Sequence, residues 1–211
     1  MADRKTYHHG DLHASLLAAA EAELRANGIE KFSLRGVARN ANVSHSAPAH
    51  HFKDVTGLLT ELAVIGWQRF LHTQLRHEAE AAPDALEQLT AAIMGYLEFA
   101  QDNPELFQLM FVSKKPDRAR DSFSRAGEAA YQHLVDLVAA IAGESVATDN
   151  DETDVHATWA LVHGLSSLMN SGFLQDVNQN RQMRERTVRA IVERYWQGRN
   201  SPESKRVPAE G

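Results

Sequence analysis

The stretch that most limits what this chain can become is residues 33–52, SLRGVARNANVSHSAPAHHF. Leu34, Val37, Ala38 and Ala41 recur at three- and four-residue intervals, which puts them on one face of a short helix. Ser33 stands just ahead of them, with a hydroxyl able to accept the unpaired N–H groups of a first turn. The pattern breaks at Asn40-Ala41-Asn42-Val43, a turn composition with one apolar plug, and Ser44 is placed to cap a second short helix carrying His45, Ser46, His50 and His51. Pro48 fits that helix only if it effectively begins at Ser46, because a proline in the first turn removes an N–H that has no partner anyway. Two short helices on so tight a turn are either an ordinary helical hairpin or a helix-turn-helix, whose second helix lies in the DNA major groove.

Helical periodicity continues on both sides. Residues 1–10 read as an arm. Leu12, Leu16, Leu17, Ala20 and Leu24 then keep helical spacing to about Ala26, where Asn27-Gly28 supplies a left-handed stop and Ile29 and Phe32 anchor the loop. Asp54 caps a long helix reaching about Ala81 and ended by Pro83; Asp84 opens another, closed by Asp102-Asn103-Pro104. A short apolar segment spans 106–112. A helix over about 117–142 is expected to turn Phe123, Tyr131, Leu134, Leu137 and Ile141 inward. The acidic stretch 143–154 reads as an exposed loop. The helix expected over about 155–174 carries a stripe of small residues, Ala157, Ala160, Gly164, Ser167 and Ser171, suited to close helix approach; a last helix covers about 181–197. Nothing alternates as a strand would. The fold class expected is all-α, with residues 1–53 as an arm and three-helix head, 54–197 as a larger helical bundle, and 198–211 as a disordered tail.

Composition narrows the partners. Cysteine is absent, which removes disulfides, thiolate metal sites and a cysteine nucleophile. No apolar run approaches the roughly 20 residues of a membrane span, and MADRKTYHHGD lacks the apolar core of a signal peptide, so a cytoplasmic chain without a membrane partner is expected. The net charge of −6 is unevenly spread: residues 1–60 hold seven Lys/Arg against six Asp/Glu and six of the 11 histidines, whereas the remainder holds 15 against 22. The acidity therefore lies outside the head, where phosphate would have to be met.

The head and its flanks, TYHHGDL, LLAAAEAELRANGIEKFSLRGVARNANVSHSAPAHHFKD and the following Leu pair, closely resemble the N-terminal domain of TetR-type transcriptional regulators. More narrowly, the chain resembles members that open with Tyr-His-His-Gly-Asp-Leu and carry Trp, His and Gly in a late helix, here Trp159, His163 and Gly164. The resemblance implies a homodimeric, ligand-released repressor of palindromic double-stranded operator DNA. Its candidate DNA contacts here are Ser33, Arg35, Ser44, His45, Ser46, Ala47, Ala49, His50 and Lys53. Three positions depart from the pattern: related sequences usually have tyrosine at Ala49, lysine at Val55 and glycine at Asn42. The first two replacements remove phosphate contacts, while asparagine tolerates the positive φ of the turn. That loss keeps a second reading open, a helical ligand-binding or interaction protein whose head no longer binds specific DNA.

Trp67, Phe70, Met94, Phe99, Phe107, Met110, Phe111, Tyr131, Trp159 and His163 come from several helices and are the candidate lining of a pocket for a small apolar or aromatic effector. Helices 155–174 and 181–197 are the candidate homodimer interface, which would set two reading helices roughly 34–36 Å apart. No cofactor is expected: His156 and His163 share a face, but no carboxylate completes a metal set. No enzyme activity is expected either, since no nucleophile, base and orienter stand at recognisable spacing.

Overall fold

The structure, a computed structural model, describes residues 9–142 and 149–199. Those residues form helices without a strand: α1 His9–Lys31, α2 Leu34–Asn40, α3 Ala47–Phe52, α4 Val55–Ala79, α5 Ala85–Asp102, α6 Pro104–Phe111, α7 Asp121–Ala142, α8 Asp149–Asn170, α9 Gln175–Gln179 and α10 Arg181–Arg199. The all-α architecture expected from the periodicity, with a helix-turn-helix near the N-terminus and a larger helical part after it, is the one observed. The helices sort into two compact units, one from the described part of Met1–Arg69 with Asn103–Ala130, the other from Phe70–Asp102 with the described part of Tyr131–Gly211. The arm before residue 9 and the tail beyond Arg199 lie outside the described residues.

In the first unit, α1 packs Leu16, Ala20 and Leu24 against α2 and α6. Its regular geometry breaks at Gly28, with φ 68° and ψ 174°, where a side chain would be strained however much room it had. The break turns Ile29 and Phe32 into the core. Farther along, Leu58, Leu59 and Leu62 of α4 are buried, as are Leu106, Leu109 and Met110 of α6. Each such side chain removed from water contributes about 1.5–3 kcal/mol before the entropy of ordering it is counted. The loop after α6 is tied back by three contacts: Asp117 N–H donates to Thr60 Oγ1 at 2.9 Å, Lys115 Nζ to the Ile29 carbonyl at 2.8 Å, and Lys115 pairs with Glu30 at 3.3 Å.

The second unit is built around α5, ten of whose 18 residues are buried. Asp84 caps it, accepting from the N–H groups of Leu86 and Glu87. Both α8 and α10 pack on it, and Arg189 of α10 grips the Glu87 carboxylate with both terminal nitrogens, one of them at 2.9 Å. The C-terminal turns of α4 close another side. There Arg76 and His77 both reach Glu98, and a Cβ added at Gly95 would stand 2.7 Å from the Gln74 Cα and 2.8 Å from the Thr73 carbonyl.

Several sequence expectations need correction. Residues 149–154, expected as loop, form the first turns of α8, because an acidic run is stabilised at a helix N-terminus by the positive end of the dipole; residues 143–148 lie outside the described set. That helix ends at Asn170 rather than near Leu174, turned by Gly172 at φ 82°, and the short α9 follows where the sequence suggested only a connection. α7 starts at Asp121, since 117–120 are taken up by turns in which Asp117 accepts from the Ala119 N–H. Tyr131, expected inward, is 36% exposed.

Gly95→Ala should lower stability by about 1–3 kcal/mol, because the added methyl meets backbone rather than a side chain that can rotate away. Urea unfolding followed by circular dichroism measures it; an unchanged midpoint would show that α4 can give way.

Candidate functional site

The helix-turn-helix is fixed at each step by the residues that announce it. Ser33 has extended backbone, and its hydroxyl accepts from the Gly36 N–H at 3.1 Å, capping α2. At the far end the Ala41 N–H donates to the Val37 carbonyl at 2.9 Å and the Val43 N–H to the Ala38 carbonyl at 3.0 Å. Asn42 takes φ 53°, the left-handed conformation that asparagine accepts more readily than most residues. Ser46, not Ser44, is the N-cap of α3, and its side chain makes no capping bond; the Ser44 and Ser46 hydroxyls lie 3.2 Å apart instead. Pro48 falls in the first turn, where its missing N–H leaves no orphan.

Pro48 and Phe52 are the buried residues of α3. Ser44, His45, Ser46, Ala49, His50 and Lys53 are exposed, as is Arg35 on α2, while Ala47 is half-buried. Seven of the nine candidate contacts therefore cluster on or beside this short helix, and Arg35 stands on α2. Ser33 does not join them in the same way: it is half-buried, and its hydroxyl both accepts from Gly36 and donates to Glu23 Oε1 at 3.4 Å. Ala49 presents only a methyl to solvent, and Val55 is the half-buried first residue of α4.

The ten candidate effector residues divide between the two units. Trp67, Phe107, Met110 and Phe111 belong to the first, where the Trp67 and Phe111 rings meet edge to face at 4.8 Å and the Phe107 and Phe111 rings lie 4.6 Å apart. Phe70, Met94, Phe99, Tyr131, Trp159 and His163 belong to the second. Here the organising residue is one that the sequence did not single out. Tyr96 of α5 is 6% exposed, meets Phe70 edge to face at 4.8 Å, and places its hydroxyl 2.8 Å from His163 Nδ1. Trp159 also bonds that hydroxyl. The signal was present: a tyrosine in the middle of an otherwise apolar helical run must find a partner for its hydroxyl.

Burial pushes the Tyr96 phenol up, a hydrogen bond from Trp159 opposing it only in part, and burial holds His163 below the ordinary histidine range. Both groups are therefore neutral near pH 7. Indole N–H can only donate, so the Tyr96 hydroxyl accepts from Trp159 while it is also hydrogen-bonded to His163 Nδ1. The result is a neutral polar relay in an aromatic wall, with Tyr131 6.1 Å from the Trp159 ring. A separate apolar groove among α5, α8 and α10, including Ile93, Leu161 and Ile191, has a volume of about 20 Å³, and none of the ten candidate effector residues lines it. Among the described residues no group of three or more His, Asp or Glu could hold a metal ion, and no helix is long and apolar enough to cross a membrane.

The family profile of the tetracyclin repressor-like C-terminal domain matches residues 89–204, more than half of the 211-residue chain. The chain belongs to the TetR family of transcriptional regulators. A solved protein of unknown function from Rhodococcus sp. RHA1 is 32% identical, with 92% of this chain and 98% of that one covered at a TM-score of 0.77. The same fold is found at 14% identity in a TetR-like transcriptional regulator from Rhodococcus sp. RHA1, covering 92% and 100% of the two chains at a TM-score of 0.65. It recurs at 15% identity in a TetR family transcriptional regulator from Thermus thermophilus, covering 86% and 97% at 0.63. A comparison with curated proteins finds no match.

His163 gives this TetR-family chain a pH-dependent term in its stability. Its folded pKa lies below the unfolded one, so the unfolded chain binds the proton first as pH falls below about 6.5. The stability present above that pH is therefore lost in acid. Replacing His163→Asn should flatten this part of the profile between pH 7.5 and 5.5; melting curves of the two proteins with equal pH slopes would contradict the assignment.

Proposed function

We propose that the protein is a homodimeric repressor that binds a palindromic operator through α2 and α3 and is released by a small apolar or aromatic effector. The observation that carries this reading is the division of α3: Pro48 and Phe52 are buried, and the polar residues Ser44, His45, Ser46, His50 and Lys53 are left exposed. A helix held this way offers hydroxyls, imidazoles and one ammonium to a groove, with Arg35 able to meet phosphate from α2. The head is assigned to residues 1–53 and effector binding and dimerisation to residues 54–197.

For the dimer, α8 supplies the support. Its buried side holds Val155, Thr158, Val162, Leu165 and Met169, yet Trp159, Leu161 and Leu168 are 37%, 43% and 46% exposed beside the small residues Ala160, Gly164 and Ser167. At Gly164 a Cβ would meet nothing within 4 Å, so the surface stands open to close approach by a second copy. For the effector, the Tyr96–Trp159–His163 relay provides neutral hydrogen-bonding groups within aromatic surroundings, the chemistry that orients a flat ligand with one polar atom. An effector that binds one arrangement of the dimer more tightly than the other shifts the population away from operator binding.

Fluorescence anisotropy with duplexes from the gene's own upstream region tests the reading. Salt-sensitive, sequence-selective binding by a dimer supports it, whereas equal binding to any duplex, or none at low salt, favours an interaction protein with a silent head. Substituting Ala49→Tyr and Val55→Lys should tighten binding and, through the added lysine, steepen the salt dependence by about one unit of slope, with little change in preferred sequence. An unchanged affinity and slope would show that these positions do not face phosphate.

A further inference from the structure

Glu23 is a carboxyl-bearing residue on the inner face of α1, only 3% exposed, in a row otherwise filled by Leu16, Ala20 and Leu24. Its two oxygens are used at opposite ends of α2. Oε1 accepts from the Ser33 hydroxyl at 3.4 Å, the same hydroxyl that caps the Gly36 N–H. Oε2 accepts from Asn40 Nδ2 at 3.2 Å and lies 3.8 Å from the Arg39 guanidinium, while Asn40 Nδ2 also reaches the Ala19 carbonyl at 3.5 Å. One buried side chain thus holds both the N-cap residue and the last residue of a seven-residue helix.

Room for it exists because of Gly36. A Cβ at that position would stand 1.8 Å from Glu23 Oε1 and 2.1 Å from its Cδ, so any side chain at 36 displaces the carboxyl. Position 36 is the third residue of α2 after its Ser33 cap, the place from which a glutamate normally closes a capping box with an N-terminal serine. The sequence Ser33-Leu34-Arg35-Gly36 lacks that glutamate, and α1 puts a carboxyl against the same cap, bonded to the Ser33 hydroxyl instead of the Ser33 N–H that a capping box engages.

We infer that Glu23 is the positioning residue of the DNA-reading head: it supplies from α1 the carboxyl that α2 does not carry, and so fixes the seat of α2 beneath α3. Nothing in this requires Glu23 to touch DNA. Its effect on operator binding rests on the repressor reading above, but its hold on α2 does not.

The test is a swap. Glu23→Ala removes the carboxyl, Gly36→Glu crowds it, and the pair E23A/G36E moves the carboxyl to the position of an ordinary capping box. Each single variant should lose about tenfold or more in affinity for an upstream duplex, and the double variant should recover to within about threefold of the natural protein, the two losses failing to add because they act on one space. A double variant weaker than either single one would overturn the proposal. Amide hydrogen exchange gives a readout independent of DNA: the Gly36 N–H should lose protection in E23A, and the N–H at position 36 should regain it in the double variant. Should the natural protein bind no duplex while exchange follows this pattern, the repressor reading fails and the positioning role stands. Unchanged protection in E23A overturns the positioning role whatever the DNA result.

Discussion

A helix buried along most of its middle has to be surrounded, and α5 is the helix on which the second unit depends. From Leu89 to Ala100 nearly every side chain is buried, Thr90 included, its hydroxyl bonded to the Leu86 carbonyl at 2.8 Å. Such a helix has little stability alone, so its neighbours are not optional. α8 and α10 cover it from the later part of the chain, and the last turns of α4 come so near at Gly95 that backbone meets backbone. The positions of Tyr96, and through it of Trp159 and His163, follow from this enclosure. A polar relay in such surroundings keeps its groups neutral because charge there would have to forgo water.

Much of the fold was legible because its punctuation is local. Ser33, Gly28, Asp54, Asp84 and Pro104 act on the backbone within a few residues, so their effects follow from spacing alone. The turn at Asn42 was equally readable, since few residues adopt its φ. The expectations that failed rest on competition between signals. Residues 149–154 are polar enough for a loop and acidic enough for a helix start, and the second property prevailed. Ser44 and Ser46 are both good caps, and the backbone chose the one that left Pro48 in the first turn.

The candidate site was less legible. The outward face of α3 could be read, because burial of Pro48 and Phe52 assigns the remaining residues. The effector residues could be collected as aromatic but not arranged, since period and spacing do not say which helices meet. Tyr96 was passed over because it looks like core, and Glu23 because a lone carboxyl among leucines and alanines looks like noise. In both cases the polar atom of a buried residue, rather than its apolar bulk, was the informative part.

The near-contact of Glu23 with the missing side chain of Gly36 also bears on how this chain can diverge. Two positions 13 residues apart share one volume, so neither can drift alone without passing through a crowded or an empty state. Among descendants of this sequence, a side chain at 36 should arrive together with a smaller residue at 23, and the two columns should covary although they lie on different helices. What looks like a tolerant glycine in a surface motif is then one half of a heritable pair.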